Sequence, residues 1–468
     1  MIVPRSRLLE LRFLAQCLKI RLCDWKKLKG YFTQSGPWAR AQGYSMSPLR
    51  SWRNLVQHQF LNRRSFMVHR NLSCSTLQLH KSKSMIRILF ACLWTCLLVS
   101  HFFGQVGNAQ PGDAESKALA TIAPFFDPPQ EYVNDFGSYQ SPLLFADGDR
   151  VQNERDWKKR RSEIFGFWEK SLGKWPPLIT DQSFEVLESV RIGNLTKHTV
   201  RFAWTPQETT QGYLLVPDGD QPRPAVITVY YEPETAIGLL KPNRDFAIQL
   251  AKRGFVTLSI GTTQATKSRT FSLYHPSIEN AQVAPLSMLA YAAANAWHVL
   301  AARPEVDSQR IGIVGHSFGG KWAMFASCLF DKFACAAWSD PGIVFDDARS
   351  SVNYWEPWYL GYHPKPWRKR GLITADNPAR GLYPQLREQG HDLHELHALM
   401  APRPFLVSGG SEDPSARWQA LNHSVAVNKV LGRKNRVAMT NRPDHSPNEE
   451  SNQVIYAFFQ HFLADPPK

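Results

Sequence analysis

The sequence predicts an α/β fold in which a mostly parallel central sheet carries helices on both faces, with a long aromatic-rich insertion before the penultimate strand. Three observations predict it. Short, nearly continuous apolar runs occur at 225–231, 255–260, 311–314, 333–338, 405–407 and 437–440, the pattern of strands buried on both faces. Between them, stretches 244–252, 284–302, 321–330, 417–430 and 452–463 set apolar residues three and four apart, as helices covering such a sheet require. More than sixty residues then separate Asp340 from Phe405, with Tyr354, Trp355, Trp358, Tyr359, Tyr362 and Trp367 among them. A connection of that length in a compact domain is expected to serve as a lid or binding element.

The charge is distributed unevenly. Of 55 Lys and Arg and 40 Asp and Glu, residues 1–84 hold 16 basic residues but only Glu10 and Asp24, which leaves a net of +1 for the remainder. The body of the chain is therefore balanced, and the overall charge of +15 is no argument for nucleic acid as a partner. Lys81, Lys83 and Arg87 flank Met85, an apolar run follows to Phe103, and Gly107-Asn108-Ala109 supplies small residues. Residues 85–109 thus read as a secretory signal peptide, with Met85 as the initiator and 1–84 as an upstream extension. Residues 110–184 show little periodicity and are expected to wrap the surface as an extended segment. Residues 185–468 form the α/β domain, with a lid-like insertion at 341–400. At its start, 189–204 and 212–216 alternate apolar and polar residues and predict an antiparallel pair at a sheet edge. Of seven Cys, only Cys328 and Cys335 fall after the presumed cleavage site, and they are expected to be inert core thiols.

Chemistry concentrates around Gly315-His316-Ser317-Phe318-Gly319, which lies between a strand and a helix. Glycine two residues either side of a serine suits a sharp turn whose neighbouring backbones come too close for side chains. Such a turn aims the Phe318 N–H and the helix N-terminus at the space beside the Ser317 oxygen, where an oxyanion would develop. A serine needs a base, supplied in this arrangement by a histidine that follows an acid in chain order. His445 follows the last strand. Asp413 follows the penultimate one and is the expected acid, while Asp340, at the end of the preceding strand, is the alternative. A second oxyanion donor is expected from the backbone N–H of Tyr231 or Glu232. The cluster His391-Asp392-Leu393-His394-Glu395-Leu396-His397 lacks His-Glu-x-x-His spacing, so structural roles are expected and no metal site.

Several segments are familiar. Residues 304–311 (Pro-Glu-Val-Asp-Ser-Gln-Arg-Ile), 315–321 and 392–404, ending in Met400-Ala401-Pro402-Arg403-Pro404, resemble the bacterial glucuronoyl esterases, carbohydrate esterases of the α/β-hydrolase superfamily. The resemblance spans roughly 224–463 and implies an α/β-hydrolase fold. It also implies a substrate-binding role for Lys321, which matches a lysine that contacts sugar hydroxyls in that family. Phe318 departs from the pattern, because the family has Arg there. The family takes its acid after either of the two strands in question, so Asp413 and Asp340 both stay open. Independently, flat rings stack on pyranose faces, and Trp355 and Trp358 are the candidates for that contact.

The expected function is a secreted or periplasmic serine ester hydrolase, acting on a small-molecule or polysaccharide ester through a Ser-His-Asp acyl-enzyme route that requires no cofactor. No stable membrane association is expected once the signal peptide is cleaved. Two alternatives fit the same residues: a serine peptidase of the prolyl-oligopeptidase-like type, and an inactive hydrolase-fold binding protein.

Overall fold

A computed structural model describes residues 111–262 and 273–464. The upstream extension and signal peptide expected at 1–84 and 85–109 lie outside these residues. Among the described residues no helix is long and apolar enough to cross a membrane.

The segment expected to be extended contains two helices. Helix α1 (Pro111–Ile122) leads to Phe126, whose ring meets Phe462 edge-on at 6.3 Å. Helix α2 (Glu154–Leu172) is a full 19 residues. Its N-cap Asn153 accepts from the Asp156 N–H, Glu154 and Asp156 occupy the first turn, and it stops at Gly173 with φ of 85°. Both caps follow ordinary helix electrostatics and backbone freedom. Trp157, Ile164, Trp168 and Leu172 are its buried face, a stripe of steps seven, four and four that the surrounding charges obscure in the sequence.

The sheet opens with β1 (Glu185–Ile192) and β2 (Leu195–Ala203), followed by β3 (Thr209–Pro217) and β4 (Arg223–Tyr230). The alternating run expected as one strand is two: Ile192 pairs with Leu195 across Gly193-Asn194, and Gly193 has φ of 60°, so the chain reverses there. Strand β1 lies at the edge, exposed along its length, with a register shift between Val186 and Glu188. Helix α3 (Phe246–Ala251), β5 (Val256–Gly261), the short pair β6 (His275–Pro276) and β7 (Ala281–Val283), α4 (Pro285–Ala301) and β8 (Val306–His316) follow. Then come α5 (Phe318–Leu329), β9 (Cys335–Ser339), α6 (Leu382–Glu388), α7 (His394–Ala398), β10 (Phe405–Gly409), α8 (Trp418–Val430), β11 (Val437–Asn441) and α9 (Glu449–Phe459).

Nine strands form one sheet in the order β1-β2-β3-β5-β4-β8-β9-β10-β11. The first three joins are antiparallel and the rest parallel. This is the α/β-hydrolase fold. Alternation along each strand divides the core: Ile227, Val229, Ile311 and Ile313 pack under α2, α4, α5 and the insertion, whereas Val226, Tyr230, Val314 and Leu406 pack under α1, α3 and α9. Parallel joins bring the carboxyl ends of β4, β8, β9, β10 and β11 to one edge, the edge where such sheets bind ligands. Cys328 and Cys335 are free and buried, and burial pushes the Cys328 thiol up to about 12.

Candidate active site

Ser317 stands alone between the end of β8 and the start of α5, with φ of 59° and ψ of −116°. A residue bearing a β-carbon is strained there. The turn holds because its N–H donates to Ser339 O at 2.8 Å and its carbonyl accepts from the Lys321 N–H at 3.0 Å. The flanking glycines are obligatory for a steric reason. A β-carbon on Gly315 would lie 2.1 Å from Gly319 O, and one on Gly319 would lie 2.0 Å from Val229 O.

His445, on the loop after β11, spans the gap between Ser317 and an acid. Its Nε2 is 2.8 Å from Ser317 Oγ and its Nδ1 is 2.7 Å from Asp340 Oδ2. The expected partner Asp413 forms no hydrogen bond with the imidazole; the alternative, Asp340, does. Position in the sheet explains the outcome: β9 lies directly beside β8, whereas β10 is one strand further out. Asp340 is fully buried, and its Oδ1 accepts backbone N–H groups from Gly410 at 2.7 Å, Asp413 at 2.9 Å and Glu412 at 3.2 Å. Those bonds satisfy the oxygen turned away from the imidazole and fix the carboxylate in place. Asp413 returns the contact. Its carboxylate accepts from Gly342 N–H at 2.8 Å and Ile343 N–H at 2.6 Å, clamping the chain that leaves Asp340. Burial and the nearby Asp340 push the Asp413 carboxyl up to about 6.

Two further residues support the histidine: Arg442, which no motif marked, and His316, which lies within the serine motif but was given no role. Arg442 is buried and donates to the carbonyls of Ser408 at 2.8 Å, Gly409 at 3.1 Å, Ser446 at 3.0 Å and His445 at 2.8 Å. It therefore ties the His445 loop to β10. The His316 ring lies 4.7 Å from that of His445. Burial, reinforced by His445 and two arginines, holds the His316 imidazole well below its ordinary range, so it adds no second charge beneath the base.

The remaining expected residues divide. Tyr231 and Phe318 come together: their rings stack at 4.6 Å and 13°, which brings the loop after β4 against the start of α5. Lys321 turns inward. It is buried, its Nζ donates to Pro341 O and sits 4.2 Å over the Tyr354 ring, and burial pulls it down to about 8. Trp355 is likewise core, with Nε1 donating to Gly371 O at 2.9 Å and its ring edge-on to Tyr383. A lysine on the first turn of α5 and a tryptophan within the insertion were each open to either role, and packing decided both inward. Trp358 lies nearer the site, 6.1 Å from Tyr359, which is 6.3 Å from Phe318.

The histidine-rich segment serves as mortar. His391 pairs with Glu395 at 2.9 Å, Glu395 accepts from Trp168 of α2 at 3.2 Å, His394 bonds Gln140 O at 2.6 Å, and Asp392 accepts the Phe345 N–H at 2.9 Å.

No protein-family model matches the chain, and no curated protein matches it in sequence. Solved structures do match in fold. A glucuronoyl esterase from Solibacter usitatus aligns with a TM-score of 0.54 at 18% identity, over 69% of this chain and 98% of that one. A promiscuous CE15 esterase from a marine bacterial metagenome aligns at 0.53 and 18%, over 72% and 99%. A CE15 glucuronoyl esterase from Teredinibacter turnerae aligns at 0.50 and 16%, over 75% and 100%. The chain is thus similar, over nearly the whole length of each, to structures of carbohydrate esterases, and it shares their α/β-hydrolase fold.

Proposed function

We propose that this protein is a serine ester hydrolase acting on carbohydrate-linked esters, with Ser317 as nucleophile, His445 as base and Asp340 as the acid that orients it. The observation that carries the reading is the unbroken chain Ser317 Oγ, His445 Nε2, His445 Nδ1, Asp340 Oδ2, with contacts of 2.8 and 2.7 Å. His445 takes the Ser317 proton as Oγ attacks the ester carbonyl. The oxyanion is held by the Phe318 N–H, at the start of α5, and by a backbone N–H of Tyr231 or Glu232. Collapse of the tetrahedral species returns the proton to the departing alcohol and leaves an acyl-Ser317. Water, deprotonated by His445, then releases the acid and restores the serine. The printed names of the similar structures support the carbohydrate ester class. Export belongs to the same reading, and a mature N-terminus near Gln110 is its expected sign.

Fluorophosphonate labelling tests the nucleophile. The wild type is expected to label and Ser317→Ala not to, and equal labelling of both would overturn the assignment. Turnover of acetyl, glucuronoyl-methyl and peptide substrates tests the class, and cleavage of peptides alone would refute it.

A further inference from the structure

The insertion holds one arginine at the site's rim on an unusually fixed backbone. Glu356 and Arg368 form a buried ion pair at 2.9 Å. Arg368 also donates to Gly371 O at 3.2 Å, Leu372 O at 3.1 Å and Asn377 O at 3.0 Å, and the Gly371 N–H returns to Glu356 at 3.0 Å. Arg370 lies between these anchored neighbours and is itself exposed. Its guanidinium is 5.3 Å from the Trp358 ring centre. From there, rings run through Tyr359 to Phe318, the residue that follows Ser317, and Tyr231 closes the row against Phe318.

Among the described residues, charge in this region leans positive. Arg370 acts electrostatically on both the Tyr231 and Tyr359 hydroxyls. A second guanidinium, Arg244, donates to Ser446 Oγ at 3.2 Å, next to His445, and also acts on Tyr231. The opposing carboxylates among the described residues are Glu232, which acts on Tyr231, and Glu356, which is paired with Arg368 and also interacts electrostatically with Arg370. A planar guanidinium on an aromatic face, at the rim of a site with a second cation nearby, suits a carboxylate ligand.

We propose that Arg370 determines specificity by binding a carboxylate carried on the substrate close to the scissile ester, which makes acidic carbohydrate esters the preferred substrates. This rests on the ester hydrolase reading above. The test uses two matched pairs: an aryl monoester of adipate against the aryl hexanoate, for charge on the acyl side, and acetylated galacturonate against acetylated galactose, for charge on the alcohol side. In at least one pair the wild type is expected to favour the acidic member in kcat/KM. Arg370→Gln is expected to shrink that preference about tenfold, chiefly through KM, as loss of a charged hydrogen bond predicts. Arg370→Glu should shrink it further, and Lys369→Ala, removing an exposed charge one residue away, should leave it unchanged. No preference in either pair overturns the proposal, as does an equal loss in Lys369→Ala, which would reduce the effect to net charge. Those results leave the esterase reading standing. Failure of the wild type to turn over any of the four esters removes both.

Discussion

Asp340 uses both carboxylate oxygens, one on the His445 imidazole and the other on three backbone N–H groups from the loop after β10. Replacing it with Asn would set an amide N–H against the imidazole or force the wrong tautomer, so Asp340→Asn is expected to lower kcat by about 10⁴-fold, in line with the orienting acid of a serine triad. Asp413→Asn keeps an oxygen for Gly342 or Ile343 and touches no reacting atom, so a loss on the order of tenfold is expected, the scale of a modest misplacement. Steady-state turnover of an aryl acetate by the two variants decides the matter, and a larger loss in Asp413→Asn would reverse the assignment. The meeting of Ser317 and His445 was legible because local sequence specifies it: glycines at two fixed offsets, and a histidine after the last strand. Which aspartate meets the imidazole was not, because Asp340 and Asp413 both follow parallel strands and only strand order in the sheet tells them apart. The inward course of Lys321 and Trp355 was not legible for a related reason, since a side chain's direction depends on packing from segments far away in sequence.

At the scale of elements, the six main parallel-sheet runs and the helices between them were legible because each is continuous and buried on a regular period. Helix α2 was not, for the run Lys158, Lys159, Arg160, Arg161 and Glu163 lies between its first two buried residues, Trp157 and Ile164. Trp168 anchors it, fully buried and bonded to Glu395. Trp168→Ala is expected to cost about 3–5 kcal/mol in urea denaturation, as large core truncations do. The insertion is built on the Glu356–Arg368 pair, whose side chains are 0% and 1% exposed. Glu356→Gln leaves the guanidinium buried without a countercharge, and a loss of about 3–5 kcal/mol is expected. Because residues flanking Arg370 hang on this pair, the same substitution should also weaken discrimination between acidic and neutral esters, measured as the ratio of their kcat/KM values.

For the whole molecule, pH enters stability through buried carboxyls. Burial pushes Asp392 up to about 7, against a normal value near 4. The folded state therefore holds this proton where the unfolded chain has released it, and stability falls as pH rises from about 4 to about 7. Burial and the neighbouring Asp340 raise Asp413 as well, and it acts with the same sign. Asp392→Asn retains an oxygen acceptor for the Phe345 and Leu393 N–H groups without the titration. Its Tm is expected to gain on the wild type progressively between pH 4 and pH 8 in thermal melts, and a constant difference across that range would contradict the account.

The exposed first strand has a consequence for how copies of the protein coexist. Val186, Leu187, Val190 and Ile192 face solvent along β1, a stretch that could template cross-chain sheet growth. The register shift between Val186 and Glu188, together with the charged residues Glu185, Glu188 and Arg191, interrupts that template, and Arg191 and Arg201 hold ion pairs with Asp218 and Glu185. Colloidal behaviour is thus governed by a handful of side chains at the opposite end of the sheet from β11. Substituting Glu188 by Val should leave turnover per molecule intact while lowering the concentration at which light scattering first detects aggregates.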